Sequence, residues 1–181
     1  MAATRRIHKK VKPEYSFLAL DFETANTSRN SACALGLVKV VGNKIIYNEA
    51  FLIRPPTRFF EFSYLHNITW EDVKNEPDFG ELWLSIEHHF DNIDFIVAHN
   101  ASFDRSVLYA CCDHHEIQLP RPDILCTMNI ARSLWNIYPT KLPDVCHHFK
   151  IGLNHHDALS DTLACAQIML RAIKDLRFRP F

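Results

Sequence analysis

The chain has 181 residues with a mass of 21.0 kDa, and 48% of its residues are hydrophobic, which is enough to build the core of one domain. Its formal net charge of −1 argues against a protein that coats long duplexes, because such binding needs many phosphate contacts from Lys and Arg. The sequence has no apolar run of the roughly 18 residues that a membrane span needs, and its start has no signal-peptide core. We therefore expect a cytoplasmic protein that makes no membrane contact.

The first third of the chain is expected to form strands. Residues 1–13 are locally basic and predict a flexible tail, so the folded domain is expected over residues 14–181. Carboxylates at alternate positions in the apolar stretch 15–23 favour a strand. Two further strands are predicted near 32–41 and 44–53, joined by Gly42 and Asn43, which both tolerate the positive φ of a tight hairpin. The chain thus begins as an antiparallel meander.

From about residue 77 onward, helices and strands are expected to alternate. Periodicity predicts helices over 79–90, 102–112, 128–135, 142–149 and 158–176, and short buried strands over 94–99 and 124–127. The last helix carries apolar residues at helical spacing on one face, namely Leu159, Leu163, Ala166, Leu170 and Ile173. A meander followed by alternation predicts an α/β fold with a mixed sheet.

Neither the cysteines nor the paired histidines have the spacing of a zinc site. The cysteines contain no Cys-x-x-Cys pair and are interpreted as reduced, mostly buried residues: Cys33, Cys111, Cys112, Cys126, Cys146 and Cys165. The histidine pairs at 88–89, 114–115 and 147–148 fall near predicted helix ends and are interpreted as structural.

Three separate segments carry acids that could meet in one site. Asp21 and Glu23 are two residues apart on a predicted strand, so their side chains leave the same face. Asp104 falls in the first turn of the helix after the buried strand, and Asp161 falls in the first turns of the last helix, with His156 on the preceding loop. Each signal alone is weak, because Asp-x-Glu is commonly a surface pair and helix starts favour acids for dipole reasons. Together they match the several converging carboxylates that a pair of catalytic ions needs.

These segments resemble the three motifs of the DEDDh 3'→5' exonucleases, a family typified by the proofreading epsilon subunit of bacterial DNA polymerase III. In chain order, the motifs are Asp21-Phe22-Glu23-Thr24, His99-Asn100-Ala101-Ser102-Phe103-Asp104 and His156-x4-Asp161. A fourth segment, residues 65–69, is similar to the family's His-Gly-Ile-Thr segment, with Asn67 in place of the glycine. Asn tolerates positive φ better than other non-glycine residues, so this departure changes little. The resemblance covers about residues 15–175.

The resemblance implies a ribonuclease H-like fold, with a mixed five-stranded sheet flanked by helices, and a site for two divalent cations, Mg²⁺ or Mn²⁺. It implies that the metal ligands are Asp21, Glu23, Asp104 and Asp161, and that His156 takes the proton from the attacking water. Carboxylate ligands agree with Mg²⁺ or Mn²⁺ rather than zinc. The expected activity is 3'→5' hydrolysis of nucleic-acid ends, with DNA favoured and with release of nucleoside 5'-monophosphates.

The resemblance also suggests substrate contacts and partners. Thr24, Ala25, His66 and Phe103 are expected near the terminal nucleotide of a single-stranded 3' end, although Phe103 could equally be a core residue. Residues 29–33 and the pair at 126–127 are similar to a branch of short stand-alone relatives of the epsilon subunit. This similarity weakens any expectation of association with a polymerase, and it leaves a homodimer open.

Two other interpretations stay open at this point. An exoribonuclease of the oligoribonuclease or ribonuclease T kind has the same catalytic positions, so the sequence does not decide between DNA and RNA. A non-catalytic binding module that keeps the fold is the alternative from another class. The four acids and His156 argue against such a module, because a scaffold has no need of converging carboxylates.

Overall fold

A five-stranded mixed sheet forms the centre of the molecule. The computed structural model describes residues 14–119 and 122–180, so the flexible tail predicted for residues 1–13 lies outside the described residues. The strands are β1 (Phe17–Thr24), β2 (Ala32–Val41), β3 (Lys44–Leu52), β4 (Phe95–Ala98) and β5 (Ile124–Cys126). They are ordered β3-β2-β1-β4-β5, with the first three antiparallel and with β4 parallel to both β1 and β5. The predicted α/β class and mixed sheet are confirmed.

The hairpin between β2 and β3 turns where the sequence predicts it. Gly42 has a φ of 55° and Asn43 has a φ of 63°, so both central residues are left-handed, as a two-residue turn between twisted strands requires. The Asn43 N–H donates to Tyr15 O at 3.2 Å, and the Asn43 side-chain oxygen accepts from Tyr15 N–H at 3.2 Å. These two bonds tie the turn to the residues that precede β1.

Seven helices are present in the described part of the chain. They are α1 (Ser63–His66), α2 (Trp70–Val73), α3 (Phe79–Ile86), α4 (Ala101–His114), α5 (Thr127–Trp135), α6 (Leu142–Phe149) and α7 (Ala158–Lys174), with a 3₁₀ turn at Glu87–Phe90 after α3. The predicted helix over 79–90 is therefore an α-helix continued by a 3₁₀ turn. The single turns α1 and α2 were not predicted, because four residues are too few to display a helical period. Within the described residues, no helix is long and apolar enough to cross a membrane.

The sheet is covered on both faces, and alternate residues of β1 enter different cores. Leu18, Leu20 and Phe22 pack with α3 and α4, whereas Phe17 and Ala19 pack with α7 on the other face. This explains why β1 reads as a nearly continuous apolar run. All six cysteines are free thiols, and all but Cys126 are buried, as the sequence predicts.

Helix α7 crosses β2 at very close range, and Gly36 makes that approach possible. A Cβ atom at residue 36 would overlap with the Ala158 carbonyl oxygen and with Thr162 Oγ1. Gly36 is also the cross-strand partner of Asp21. The absence of a side chain here therefore brings the first turns of α7 beside the acidic end of β1.

Candidate active site

The carboxyl-terminal half of β1 supplies the first two acids. Asp21 pairs with Gly36 and Glu23 pairs with Ala34, so small residues on β2 leave the space beside both carboxylates open. The register between the strands shifts between Glu23 and Thr24, where the strand ends. The two acids leave the same face of β1, as their spacing predicts.

Helix α7 supplies the third acid. The helix begins after Asp157, whose side chain accepts from Ser160 N–H at 2.8 Å and caps the helix. Asp161 follows in the first turn, with only 4% of its surface exposed. Since Gly36 allows this turn to approach the sheet, Asp161 reaches the carboxylates of β1.

Helix α4 supplies the fourth acid, Asp104. The chain enters this helix through Asn100, which is left-handed with a φ of 65°. Asp104 is 1% exposed, and its Oδ1 accepts from Phe22 N–H at 3.1 Å. An acid that served only the helix dipole would lie in solvent, so the burial of Asp104 against β1 favours a role in the site.

The cluster fits a divalent cation. Asp21, Glu23 and Asp161 each present a carboxylate oxygen, and these oxygens lie within 4.8 Å of one another. Asp161 Oδ1 is buried, and no donor among the described residues bonds to it. Leaving a buried carboxylate oxygen unpaired is costly unless a cation satisfies it, and oxygen ligands are those that Mg²⁺ and Mn²⁺ prefer. Asp104 lies outside this triplet but close enough for its charge to act on Asp21.

Without metal, the cluster disfavours the ionised forms of its four acids. Burial, followed by the charges of the neighbouring acids, raises the pKa of Asp21 well above its ordinary value. The same causes raise the pKa of Glu23 from 4.5 to about 8. Burial raises the pKa of Asp104 from 3.8 to about 7, and it raises the pKa of Asp161 in spite of the opposing charge of His155. A bound cation would reverse this penalty by favouring the ionised forms.

Two histidines contact the cluster from the turn before α7. His156 has a φ of 68° and precedes the helix cap, which confirms its predicted place on a loop. Its N–H donates to Asp161 Oδ2 at 3.2 Å, and its Nδ1 lies 4.0 Å from Glu23 Oε1. His155 Nδ1 lies 2.9 Å from the same Asp161 oxygen, and the two imidazole rings stack at 3.9 Å. The contact of His155 was not predicted, since sequence spacing does not reveal side-chain direction.

A cleft of about 480 Å³ opens over the acids and contains some of the predicted substrate contacts. Thr24 and Phe103 line this cleft, and the Arg29 guanidinium lies over the Phe103 ring at 4.9 Å. Ala25 is fully buried and lies outside the lining residues. The lining also includes Leu65 of the fourth segment, together with residues that no motif identified, among them Phe62, Met128, Lys141 and Leu142.

His66 does not line this cleft and instead lines a neighbouring pocket. It is 7% exposed, and both ring nitrogens are engaged: Nδ1 accepts from Ile68 N–H at 3.0 Å, so Nε2 carries the proton and donates to Thr24 O at 3.2 Å. Its ring therefore holds the backbone at the end of β1. His66 could affect a substrate indirectly, because it holds the backbone of Thr24, which does line the cleft.

His99, the first residue of the second motif, also has a fixed structural position. Its Nδ1 accepts from Thr127 Oγ1 at 2.9 Å, and its Nε2–H donates to Thr140 O at 2.9 Å. Burial lowers the pKa of His99 to about 4, so the ring is neutral at pH 7 and keeps both bonds. His99 thus links the end of β4 to the loop that precedes α6.

Without metal, the stability of the protein should fall as the pH rises. The acids have a higher pKa in the folded protein than in the unfolded chain, so the folded state binds more protons between about pH 4 and pH 8. Asp104→Asn removes one charge and keeps an oxygen that can accept from Phe22 N–H. In chelator, we expect this variant to melt at a higher temperature than the wild type at pH 8, with a smaller difference at pH 5, and to have lower nuclease activity.

Thermal unfolding followed by fluorescence at the two pH values measures this effect. A melting temperature that is unchanged or slightly lowered, together with full activity, would mean that Asp104 serves only the start of α4. Asp113→Asn on the same helix is a matched control, because its side chain is exposed at the distal end of α4.

The sequence and the fold both have known relatives. The exonuclease family model RNase_T matches residues 18–169. The DNA polymerase III PolC-type of Bacillus subtilis (strain 168) is 29% identical over 168 residues, which cover 90% of this chain and 12% of that protein. Exodeoxyribonuclease 10 of Escherichia coli (strain K12) is 29% identical over 161 residues, which cover 83% of this chain and 66% of that protein. This chain therefore spans only part of the length of both relatives.

A solved structure supports the same assignment. Exonuclease X in complex with 5' overhanging duplex DNA matches with a TM-score of 0.71 and 25% identity, over 90% of this chain and 94% of that chain. The mixed five-stranded sheet and its flanking helices are those of the ribonuclease H-like exonucleases. With most of its length matched by the family model and with its acids gathered in one cleft, the chain belongs to the exonuclease family, in its DEDDh branch.

Proposed function

We propose that the protein is a metal-dependent 3'→5' exonuclease that releases nucleoside 5'-monophosphates from single-stranded ends, with DNA favoured over RNA. The observation that carries this proposal is the convergence of Asp21, Glu23, Asp104 and Asp161 in one cleft from three separate elements. The preference for DNA is supported by the names of the relatives, an exodeoxyribonuclease and a DNA polymerase, and by the DNA complex of exonuclease X.

The four acids divide naturally between two divalent cations, Mg²⁺ or Mn²⁺. Asp21, Glu23 and Asp161 would hold one ion, because their oxygens already lie close together. Asp21 and Asp104 would hold the second. When bound, such ions lower the pKa of water and stabilise the negative charge that develops on the phosphate. Asp161 Oδ1 is the carboxylate oxygen best suited to bind an ion, because it is buried and has no hydrogen-bond partner among the described residues.

His156 is the proposed general base. Burial, followed by the charge of His155, lowers the pKa of His156, so its ring is neutral at pH 7 and able to accept a proton. The bond from its N–H to Asp161 Oδ2 fixes the backbone of the base relative to the acids. Its ring stacks on His155 and makes no hydrogen bond to the described residues, and its Nδ1 lies 4.0 Å from Glu23 Oε1. Its nitrogens are therefore not occupied by another side chain.

The end that the enzyme attacks can be tested with labelled strands. A 5'-labelled single-stranded DNA is expected to give a ladder that shortens from the 3' end, and the matching RNA is expected to be cut more slowly. A 3'-phosphate should slow the reaction strongly, whereas a 5' modification should change it little. The measurement is gel analysis of timed reactions with Mg²⁺ or Mn²⁺.

The same assay separates the alternatives. RNA that is cut faster than DNA would favour an exoribonuclease. Cleavage of closed circular single strands at the rate of linear ones would identify an endonuclease. Strand binding without any hydrolysis, with every metal tried, would favour a non-catalytic binding module.

A further inference from the structure

Two loops flank the cleft, and they are anchored on opposite sides of β1. Residues 59–65, here called the aromatic segment, lie on the β2 side, where Leu65 lines a pocket together with Ala34 of β2. Glu61 N–H and Phe62 N–H donate to Ala25 O at 2.7 and 3.1 Å. Asn26 Nδ2 adds a bond to Phe59 O at 2.9 Å. The aromatic segment is therefore fixed to the residues that directly follow β1.

The second loop, residues 136–141, lies on the side of β4 and β5 and is here called the lysine loop. It is held at Thr140, whose carbonyl oxygen accepts from His99 and whose Oγ1 accepts from Arg132 at 2.7 Å. His99 follows β4 and is itself bonded to Thr127, which follows β5. Given the sheet order β3-β2-β1-β4-β5, the catalytic acids of β1 lie between the two loops.

The aromatic segment exposes rings that a folded protein normally buries. Phe59 is 66% exposed and Tyr64 is 75% exposed, while their neighbours Phe62 and Leu65 line the cleft. Among the described residues, Tyr138 of the lysine loop is the remaining strongly exposed aromatic ring. Exposed apolar area of this kind, continuous with a cleft, indicates a surface that a ligand covers. Nucleic-acid bases are suitable ligands for such rings, because every base is flat and can stack on an aromatic side chain whatever the sequence.

The lysine loop presents the complementary chemistry. Lys141 is the one Lys or Arg among the described residues that line the cleft, and its side chain is exposed. The floor of the cleft is acidic, and it would repel the phosphates of any strand that extends beyond the metal ions. A phosphate beyond the acids can therefore pair with Lys141, the cation that the lysine loop presents to the cleft.

We propose that a single strand lies across the cleft with its phosphates toward Lys141 and its bases toward the aromatic segment, where Phe59 and Tyr64 stack bases upstream of the terminal nucleotide. The identity of the ligand rests on the proposed function. In this arrangement His99 is a positioning residue, because its bond to Thr140 holds the loop that carries Lys141. The lysine loop therefore contacts the phosphates of the strand, and the aromatic segment contacts its bases.

Equilibrium binding of a 5'-fluorescent single-stranded DNA, with chelator present to prevent hydrolysis, tests this arrangement. Lys141→Gln is expected to reduce the slope of log affinity against log salt by about 0.7, the value of one phosphate contact on a single strand. Phe59→Ala with Tyr64→Ala should leave that slope unchanged and weaken binding by at least about fivefold per ring. On a strand that lacks bases at every nucleotide before the last, Phe59→Ala with Tyr64→Ala should no longer weaken binding. The effect of Lys141→Gln on the salt slope should persist on that strand.

Matched controls separate these effects from general damage. Lys174→Gln changes a lysine at the other end of α7, about 20 Å from Asp161 along the helix. Leu84→Ala changes an apolar side chain of α3 that is 76% exposed. Both should bind like the wild type, and Lys141→Arg should restore the salt slope.

Three outcomes decide the matter. Variants of both loops that bind like the wild type, or an abasic strand that loses the Lys141 effect instead of the ring effect, would overturn the arrangement. If the strand arrangement is overturned in this way while the wild type degrades DNA normally, the proposed function still stands. If the binding pattern is as expected but no strand is hydrolysed with Mg²⁺ or Mn²⁺, the proposed function fails and the strand arrangement stands.

Discussion

Asp161→Asn is expected to reduce nuclease activity to background, a loss of about 10³-fold or more. The substitution keeps the shape of the side chain and removes the charge. The remaining amide oxygen is expected to stay where Oδ2 accepts from His156 N–H, so an NH2 group replaces the buried and unpartnered Oδ1. Single-turnover hydrolysis of a labelled strand, with saturating Mn²⁺, measures the loss directly.

Metal binding should be lost with the activity. Chelator is expected to abolish hydrolysis by the wild type, and Mg²⁺ or Mn²⁺ should restore it. Mn²⁺ should also raise the melting temperature of the wild type much more than that of the Asp161 variant. The control is Asp157→Asn, four residues earlier, because Asn caps helices as well as Asp and should preserve both fold and rate. Full activity in chelator would exclude the proposed mechanism.

His156→Asn is expected to slow the chemical step by about 10²–10⁴-fold, the usual cost of losing a general base, while His155→Asn keeps most of the rate. The reason is geometric. His155 Nδ1 is already engaged by Asp161 Oδ2, whereas Nδ1 of His156 lies 4.0 Å from Glu23 Oε1 and the His156 ring has no hydrogen-bond partner among the described residues. Asparagine is the substitution of choice because residue 156 is left-handed, with a φ of 68°, and Asn tolerates that conformation better than alanine.

Single-turnover rates of the two variants at saturating Mn²⁺ decide between the histidines. The thermal shift on adding Mn²⁺ should be retained in both, which separates a lost base from a lost metal site. A larger loss of rate in His155→Asn would assign the base to His155. In that case, its bond to Asp161 in the metal-free protein would have to break when the site is loaded.

The fold could be predicted wherever a local rule acts on several consecutive residues. The hairpin followed from the tolerance of Gly42 and Asn43 for positive φ, and α7 followed from a long run of helical spacing. The turns α1 and α2 were invisible, because one helical turn has no period. The change from α3 to a 3₁₀ turn at residue 87 was equally hidden, since both conformations present similar spacing over four residues.

The site could be predicted only as far as spacing and resemblance reach. They identified the four acids and placed His156 on a loop, and the structure brings these residues together. Spacing could not reveal that His155 bonds Asp161 or that both nitrogens of His66 serve the backbone. It also could not identify Lys141, whose position depends on the contacts of His99 and Arg132 with Thr140. These features are set by tertiary contacts, which no single segment encodes.

Gly36 places the geometry of the proposed metal site under the control of the scaffold. The atoms that a side chain at residue 36 would meet include the Ala158 carbonyl oxygen, which is backbone and cannot rotate away. Any larger residue would therefore have to displace the first turn of α7 as a unit, and Asp161 with it. The distance between the acids of β1 and α7 is thus set by the spacing between β2 and α7 and not by the rotamers of the acids. Attempts to retune the enzyme for a larger or smaller ion would accordingly begin at this contact, before any metal ligand is changed.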